Sequence, residues 1–246
     1  MTLASQTRKS PFVLVHGAFH GGWCWKPIAD QLRSAGHDVY TPTQTGLGER
    51  KHLISADISM ETFVLDILNV ILSEDLTDVI LVGHSYGGRS ISGVVDRAPE
   101  RIHRLVYIDG GLAPDGRSRL EAMPEDAREQ RIQSAMAFDG GISVPPPPAT
   151  RFGMSDPDQI AWVERFMTPQ PFGAEKTGLP LANPIGNGRP TTFVHCTTPA
   201  FPVTAPSAAY ARTRTDWRFL EFPSGHNSIV THPTEMAALL LAEAAL

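Results

Sequence analysis

A serine between two glycines is the clearest chemical signal in this sequence. The pattern G-x-S-x-G occupies residues 83–87 and directly follows the apolar run at residues 79–82. Apolar residues after the pattern have helical spacing, which predicts a sharp strand-to-helix turn around the serine. Glycines relieve the crowding of such a turn, and the turn presents the serine hydroxyl above the carboxyl end of a sheet. Ser85 is therefore the candidate nucleophile.

A histidine is needed to activate that serine, because a hydroxyl group is a weak nucleophile until a base takes its proton. His226 follows the strand predicted over residues 217–222 and precedes the terminal helix, so it reaches the same sheet edge as Ser85. We predict that His226 is the base, with His232 as the alternative. The remaining histidines are assigned to loops, element ends or the core: His16, His20, His37, His52, His84, His103 and His195.

An acid that orients the histidine is expected between the serine and the histidine in chain order. The usual position, after the strand predicted over residues 191–194, has no carboxylate. Asp109 ends the preceding strand and therefore lies at the correct edge, whereas Asp216 precedes its strand and belongs at the opposite edge. We predict Asp109 as the acid and keep Asp115, which lies farther along the chain, as the alternative.

Two backbone N–H groups are expected to hold the negative charge that develops on a reacting carbonyl oxygen. One belongs to Tyr86, and the other lies in the glycine-rich loop after the first predicted strand, at Ala18 or Phe19, of which we favour Ala18. The glycines of that loop do not fit the dinucleotide-binding pattern G-x-G-x-x-G. His16 and His20 have the spacing of a helical zinc pair but follow a strand and lack the adjacent glutamate. We predict no metal site and no dinucleotide in this loop.

Strands and helices must alternate to position these residues. Short apolar runs recur between segments of helical periodicity, which predicts an α/β fold: a mostly parallel sheet with helices on both faces. We predict a core over residues 1–111 and 190–246.

Residues 112–189 break the alternation and are too long to be a plain loop. We predict that they form an inserted helical cap, with a helix around residues 156–167. Their apolar and aromatic side chains favour packing over the alternative, a disordered excursion. We expect substrate contacts from four aromatic residues, although those of the cap can equally form its own core: Phe19, Phe138, Trp162 and Phe166.

The composition excludes several classes of protein. The chain has 246 residues, a net charge of −5 and 41% hydrophobic residues. An acidic balance argues against nucleic-acid binding, and no apolar run approaches the ~20 residues that span a membrane. Cys24 and Cys196 are too few for a disulfide framework. We predict a soluble, cytoplasmic protein with a small-molecule substrate and no membrane or nucleic-acid partner; the oligomeric state stays open.

Three motifs together resemble the α/β-hydrolase superfamily: residues 15–25, 83–88 and 225–226. More narrowly, the chain is similar to compact esterases related to plant methylesterases and hydroxynitrile lyases. Bacterial carbamate-cleaving esterases also share the blocks at residues 43–52 and 107–109. The resemblance implies a six-stranded parallel core, a helical cap and no cofactor.

The chain departs from parts of this superfamily. Plant members carry aspartate where Thr198 stands, whereas some dehalogenases place the acid after the earlier strand, which supports Asp109. The lyases carry threonine in place of Gly17 and lysine in place of Asn227. Dehalogenases and epoxide hydrolases use an aspartate nucleophile where Ser85 stands, so the resemblance favours hydrolysis by serine.

The sequence therefore predicts a serine hydrolase that cleaves a small apolar or aromatic carboxylic ester through an acyl-enzyme. A carbamate or an activated amide is the next substrate class. Three alternatives stay open: a hydroxynitrile lyase, a cofactor-free oxygen or peroxide enzyme, and a protein that binds a small ligand without turnover.

Overall fold

The apolar runs of the sequence form the strands of the computed structural model, which describes residues 9–246. The strands are β1 (Phe12–Val15), β2 (Val39–Tyr40), β3 (Val79–His84), β4 (Ile102–Ile108), β5 (Ser143–Val144), β6 (Gln170–Pro171), β7 (Thr191–Cys196) and β8 (Trp217–Phe222). Six of them form a sheet in the order β2-β1-β3-β4-β7-β8, and every pair in it is parallel. The predicted α/β fold with six parallel strands is confirmed.

The helices lie between the strands in the chain. They are α1 (Lys26–Ser34), α2 (Met60–Ser73), α3 (Gly87–Arg97), α4 (Glu125–Asp139), α5 (Pro157–Phe166), α6 (Phe172–Lys176), α7 (Ala205–Thr213), α8 (Ser228–Thr231) and α9 (Pro233–Ala244). Short 3-10 turns lie at Gly22–Trp25, Gly48–Leu53, Pro99–Arg101, Ala149–Phe152 and Pro202–Thr204. No helix within residues 9–246 is both long and apolar enough to cross a bilayer.

Helix boundaries follow local chemistry. Ser59 caps α2 by accepting a hydrogen bond from the backbone N–H of Thr62, whose hydroxyl accepts in turn from the N–H of Ser59. This reciprocal pair satisfies two donors that the first helical turn leaves free. Pro233 begins α9 at a position where its missing N–H group costs nothing.

The sheet buries both of its faces, because consecutive side chains of a strand point to opposite sides. Phe12 and Leu14 of β1 belong to the apolar cluster that contains α1 and α9. Val13 and Val15 belong to the cluster that contains α2 and α3. Strands buried on both faces need apolar residues at every position, which explains their unbroken apolar sequences.

The register of the central strands brings two loops together. His84 at the end of β3 pairs with Ile108 at the end of β4, and Ile108 pairs with Val194 of β7. Ser85 and Asp109 each come one residue after these paired ends. The sheet therefore delivers both to neighbouring positions on its carboxyl edge.

The chain between β4 and β7 forms α4, β5, α5, β6 and α6 instead of a plain loop. The predicted helix over residues 156–167 is confirmed as α5. The strands β5 and β6 make a short antiparallel pair, and a small apolar cluster includes Val144 and Phe172. Leu179 and Ile185 are buried in the same cluster as α2 and α3, so the end of this segment packs on the sheet. Its treatment as a separate cap over residues 112–189 stays a prediction.

Candidate active site

Ser85 lies on a tight turn between β3 and α3. Its φ of +52° is in the left-handed region, which few residues other than glycine adopt. A Cβ atom on Gly87 would lie 2.7 Å from the carbonyl oxygen of His16, and one on Gly83 would lie 2.9 Å from the carbonyl oxygen of Gly87. The glycines therefore let α3 approach the sheet closely, as the sequence predicts, and the turn lifts Ser85 above it.

Three predicted residues meet through two short hydrogen bonds. His226 Nε2 lies 2.8 Å from Ser85 Oγ, and His226 Nδ1 lies 2.6 Å from Asp109 Oδ2. A carboxylate only accepts hydrogen bonds, so Nδ1 carries the hydrogen and the lone pair of Nε2 faces the serine hydroxyl. This is the arrangement in which an imidazole can take the proton of a serine.

The Asp109 carboxylate is fully buried and has further partners. Thr204 Oγ1 donates to Asp109 Oδ2 at 3.0 Å, and His195 Nδ1 lies 3.3 Å from Asp109 Oδ1. These contacts compensate for the loss of water around a buried charge. The sequence predicts a core position for His195 and gives no signal for Thr204. The register between β4 and β7 was the available signal, because it sets His195 beside Asp109.

The alternative acid and base lie in other environments. Asp115 is on the surface, where its carboxylate pairs with the Arg117 guanidinium at 2.5 Å. His232 Nδ1 lies 2.8 Å from Thr231 Oγ1, and its ring packs on Phe222. The structure thus brings Asp109 to His226 and leaves Asp115 in a local ion pair.

Two backbone N–H groups near Ser85 are free to bind an oxyanion. The N–H of Phe19 donates to Gln170 Oε1 at 3.0 Å, which removes one of the two candidates in the first loop. Within residues 9–246, the N–H groups of Ala18 and Tyr86 have no acceptor. Tyr86 also precedes α3, whose N-terminus favours negative charge.

Three more histidines surround this site, and burial lowers the pKa of each. The pKa values of His16 and His20 fall to about 4, and that of His84 falls well below its usual value. His16 Nδ1 donates to the Gly17 carbonyl, while its Nε2 accepts from the N–H of Gln44. His84 Nε2 donates to the carbonyl oxygen of His226 at 2.8 Å. Because burial lowers their pKa values, these three rings are neutral at pH 7. A neutral ring fits the contacts of His16, where one nitrogen donates and the other accepts.

A cavity of about 20 Å³ lies beside the serine. That volume holds about one water molecule, so a substrate must push its lining aside to place a carbonyl group there. The lining residues are Gly17, Ala18, His20, His84, Ser85, Phe152, His226 and Asn227. Phe201 also packs on the His226 ring, with centroids 4.1 Å apart. No sequence motif marks Phe152 or Phe201 as site residues, because each reaches the site from a distant loop.

The four aromatic residues predicted to bind substrate lie farther out. Trp162 and Phe166 pack on Trp23, which stacks on His20 at 5.2 Å between centroids. Phe19 is buried next to Phe152. The fourth residue, Phe138 on α4, is half exposed. None of these four residues is among the described residues that line the cavity. Their role in substrate binding stays a prediction.

Gly17 leaves no space for a side chain. A Cβ atom built on it would lie 2.8 Å from Ser85 Cβ, closer than real Cβ contacts occur. The threonine that the lyases carry at this position would require Ser85 or this loop to shift. Across residues 9–246, no group of three or more His, Cys, Asp or Glu side chains has the arrangement of a metal site.

Comparisons with known proteins agree with this geometry. The model of the "Alpha/beta hydrolase family" matches residues 12–239. The chain is 39% identical over 241 residues to "Carbendazim hydrolyzing esterase" of Nocardioides sp. (strain SG-4G), covering 94% of this chain and 98% of that protein. It is 30% identical over 196 residues to "Putative methylesterase 14, chloroplastic" of Arabidopsis thaliana, covering 72% of this chain and 56% of that protein.

A solved structure is similar along nearly the whole chain. It is an extracellular alpha/beta-hydrolase from a Paenibacillus species, described as sharing structural and functional homology with Tobacco Salicylic Acid Binding Protein 2. The TM-score is 0.79 at 27% sequence identity, and the match covers 95% of this chain and 98% of that one.

Proposed function

The chain belongs to the alpha/beta hydrolase family and is a hydrolase, and we propose that Ser85 is its nucleophile. In this proposal His226 is the general base, Asp109 orients it, and the N–H groups of Ala18 and Tyr86 bind the oxyanion. The observation that carries the proposal is the continuous hydrogen-bonded chain from Ser85 through His226 to the buried Asp109.

The first half of the reaction makes an acyl-enzyme. Ser85 Oγ forms a bond to the carbonyl carbon while His226 Nε2 takes the hydroxyl proton. The carbonyl electrons move onto oxygen, where the two N–H groups stabilise the charge. When the electrons on that oxygen re-form the carbonyl double bond, the bond to the leaving alcohol breaks. His226 then gives its proton to the departing oxygen.

The second half regenerates the enzyme. A water molecule gives a proton to His226 and attacks the acyl carbon, and the bond to Ser85 Oγ then breaks with return of the proton. Asp109 stays ionised throughout and stabilises the imidazolium that forms twice. An acid product leaves, and the hydroxyl of Ser85 is restored.

The proposed substrates are small esters and aryl carbamate esters. Support for the carbamate class comes from the relative named for carbendazim hydrolysis, which aligns over almost the whole of both chains. With a carbamate ester, the alcohol leaves first and the carbamoyl-enzyme is hydrolysed to a carbamic acid. That acid loses carbon dioxide to give the amine.

A lyase reaction is disfavoured by the close approach of Gly17 to Ser85, because the threonine of the lyases would not fit there without a shift of the loop or of Ser85.

We also propose a cytoplasmic location. Its support is the state of the cysteines, since Cys24 and Cys196 are both free and buried.

The covalent step is tested with a nitrophenyl ester and a fluorophosphonate probe. We expect a rapid burst of nitrophenol close to one equivalent of enzyme, followed by slower turnover. Ser85→Ala should lower kcat by about 10,000-fold or more and abolish labelling by the probe. Ser92→Ala is the matched control. It removes a buried hydroxyl on α3, and that hydroxyl contacts Tyr107 and not His226. Turnover and labelling that persist in Ser85→Ala would refute the proposal.

A further inference from the structure

The side-chain amide of Asn227 lines the cavity next to the proposed nucleophile and base. Asn227 directly follows His226 in the loop before α8, and its side chain is buried. The backbone N–H of Asn227 donates to the Phe152 carbonyl at 3.1 Å, and its own carbonyl accepts from the N–H of Val230 at 2.9 Å. The loop is thus held on both sides, and the amide has a defined position.

The contacts of His20 determine which way this amide points. His20 Nδ1 lies 2.8 Å from the Ala18 carbonyl oxygen and must donate to it. Because burial keeps His20 neutral, with a pKa of about 4, its Nε2 carries no hydrogen and can only accept. Asn227 Nδ2 lies 3.4 Å from that nitrogen and 3.2 Å from Met154 Sδ. Both amide hydrogens therefore have partners, and the assignment of nitrogen and oxygen follows.

The oxygen of the Asn227 amide has no hydrogen-bond partner among the described residues. Asn227 Oδ1 is shielded from solvent and accepts no hydrogen bond from any residue within 9–246. A buried acceptor without a donor is costly and rare in folded proteins. Asn227 Oδ1 is thus a free acceptor beside the cavity that Ala18 also lines, and the free N–H of Tyr86 directly follows Ser85 in the chain.

We propose that Asn227 Oδ1 accepts a hydrogen bond from an N–H group that adjoins the reacting carbonyl of the substrate. A carbamate ester of an aryl amine carries both matching groups: a carbonyl oxygen for the two donors and an N–H for Asn227. A simple carboxylic ester supplies only the carbonyl oxygen. Asn227 therefore makes the site selective for carbamates, an inference that rests on the proposed function.

His84 Nδ1 is a second buried acceptor without a partner, but its surroundings exclude a substrate. The position of a Cβ atom on Gly17 is 3.2 Å from His84 Nδ1 and only 2.8 Å from Ser85 Cβ. A donor entering that space would collide with the nucleophile's own side chain. Asn227 Oδ1 is the acceptor that a substrate can reach once it displaces the lining of the cavity.

The test compares two substrates of nearly the same shape: a methyl N-arylcarbamate and the methyl arylacetate in which CH2 replaces NH. The readout is the ratio of their kcat/KM values, which removes any general effect of a substitution on His226. Asn227→Leu keeps the approximate shape and removes the acceptor. Asn227→Asp is the matched control, because it also loses the contact to His20 and retains an acceptor oxygen.

We expect the carbamate-to-arylacetate ratio to fall about 10-fold in Asn227→Leu, the size of one lost hydrogen bond, and to stay near the wild-type ratio in Asn227→Asp. A ratio that changes less than twofold in Asn227→Leu would overturn the inference while leaving the proposed hydrolase intact. Failure of the proposed function has a different signature, namely that Ser85→Ala still cleaves both substrates.

Binding gives a second measurement that does not depend on the folding of an Asn227 variant. Ser85→Ala protein should bind the carbamate about 10-fold more tightly than the arylacetate, as measured by calorimetry. Equal dissociation constants for the two compounds would also contradict the inference.

Discussion

The carboxyl edge of the sheet and the segment between β4 and β7 each bury one carboxylate completely, and they do so with opposite chemistry. At the sheet edge, Asp109 is surrounded by His226, His195 and Thr204. In the segment, Glu175 on α6 is held by Arg131 and Arg119. The partners of Asp109 carry no permanent charge, whereas both arginine partners of Glu175 do.

This difference separates the carboxylate that we propose to act in catalysis from one that stabilises the fold. Burial raises the pKa of Glu175, but the charges of Arg119 and Arg131 outweigh it, and the pKa lies below its usual value. Its negative charge is therefore neutralised at all times. Asp109 has no arginine or lysine among its partners in the described chain, so it can stabilise a positive charge that appears on His226.

The two regions also differ in how they are anchored. Ser85 and Asp109 follow buried strands, with left-handed φ values of +52° and +43° that the sheet imposes. The segment exposes apolar side chains on α4, with Met136 57% and Phe138 49% exposed. The sheet edge holds Ser85 and His226, whereas the segment between β4 and β7 supplies Phe152 to the same cavity.

Removing the charge of Asp109 should have the largest effect in this comparison. We expect Asp109→Asn to lower kcat/KM by about 10,000-fold, because the amide no longer holds His226 in the correct tautomer or stabilises its charge. Steady-state kinetics with a nitrophenyl ester measure the loss, and circular dichroism checks the fold. Asp115→Asn is the control and should stay within about twofold, since Asp115 pairs with Arg117 on the surface. An active Asp109→Asn enzyme would refute the assigned role.

Removing the charge of Glu175 should damage stability far more than catalysis. Glu175→Gln leaves two arginine side chains without their counter-charge, and we expect the free energy of unfolding to fall by about 3 kcal/mol. Urea unfolding measures this change. Asp216→Asn provides a matched exposed pair with Arg214 and should cost less than about 1 kcal/mol. Equal losses in the two variants would show that the buried cluster is not a support.

Acid should destabilise the sheet edge through its buried histidines. The pKa values of His16 and His20 are about 4 in the folded protein against 6.5 in an unfolded chain. Between pH 4 and 6.5 the unfolded state binds more protons than the folded state. The contribution of these histidines to the free energy of unfolding is therefore fully present above pH 6.5 and is lost as the pH falls to 4. Each histidine contributes up to about 3 kcal/mol of this loss. His16→Gln, whose amide can replace both hydrogen bonds, should flatten the pH dependence of urea unfolding. An unchanged slope would contradict the buried, neutral state of His16.

The smallest effect is expected from the hydroxyl beside Asp109. Thr204→Val keeps the shape of the side chain and removes one hydrogen bond to Asp109 Oδ2. We expect kcat/KM to fall about fivefold to tenfold, because the carboxylate then orients His226 less firmly. The pH profile of kcat/KM should shift as well, which loss of packing alone would not cause. Thr213→Val, on the exposed end of α7, is the control.

Much of the core could be read from the sequence because local patterns determine it. The strand predicted over residues 217–222 is β8, and the one predicted over 191–194 extends by two residues to Cys196. The segment from 112 to 189 was harder, since β5 and β6 are two residues each and have no periodicity to detect. Its elements are defined by contacts such as the Glu175 cluster, which join residues far apart in the chain.

The sequence by itself indicated the proposed nucleophile, its histidine and the parallel sheet that carries them. A glycine-flanked serine after a buried strand, and a histidine after the last one, require only local geometry and the common direction of parallel strands. Only the tertiary structure decided that Asp109 faces His226, that the N–H of Phe19 is occupied, and that Asn227 keeps a free acceptor. These facts depend on partners up to 207 residues apart, as between Asn227 and His20. The hydrogen bonds of a buried site depend on which donors and acceptors lie close together in the folded protein. The spacing of these residues along the chain does not specify that proximity.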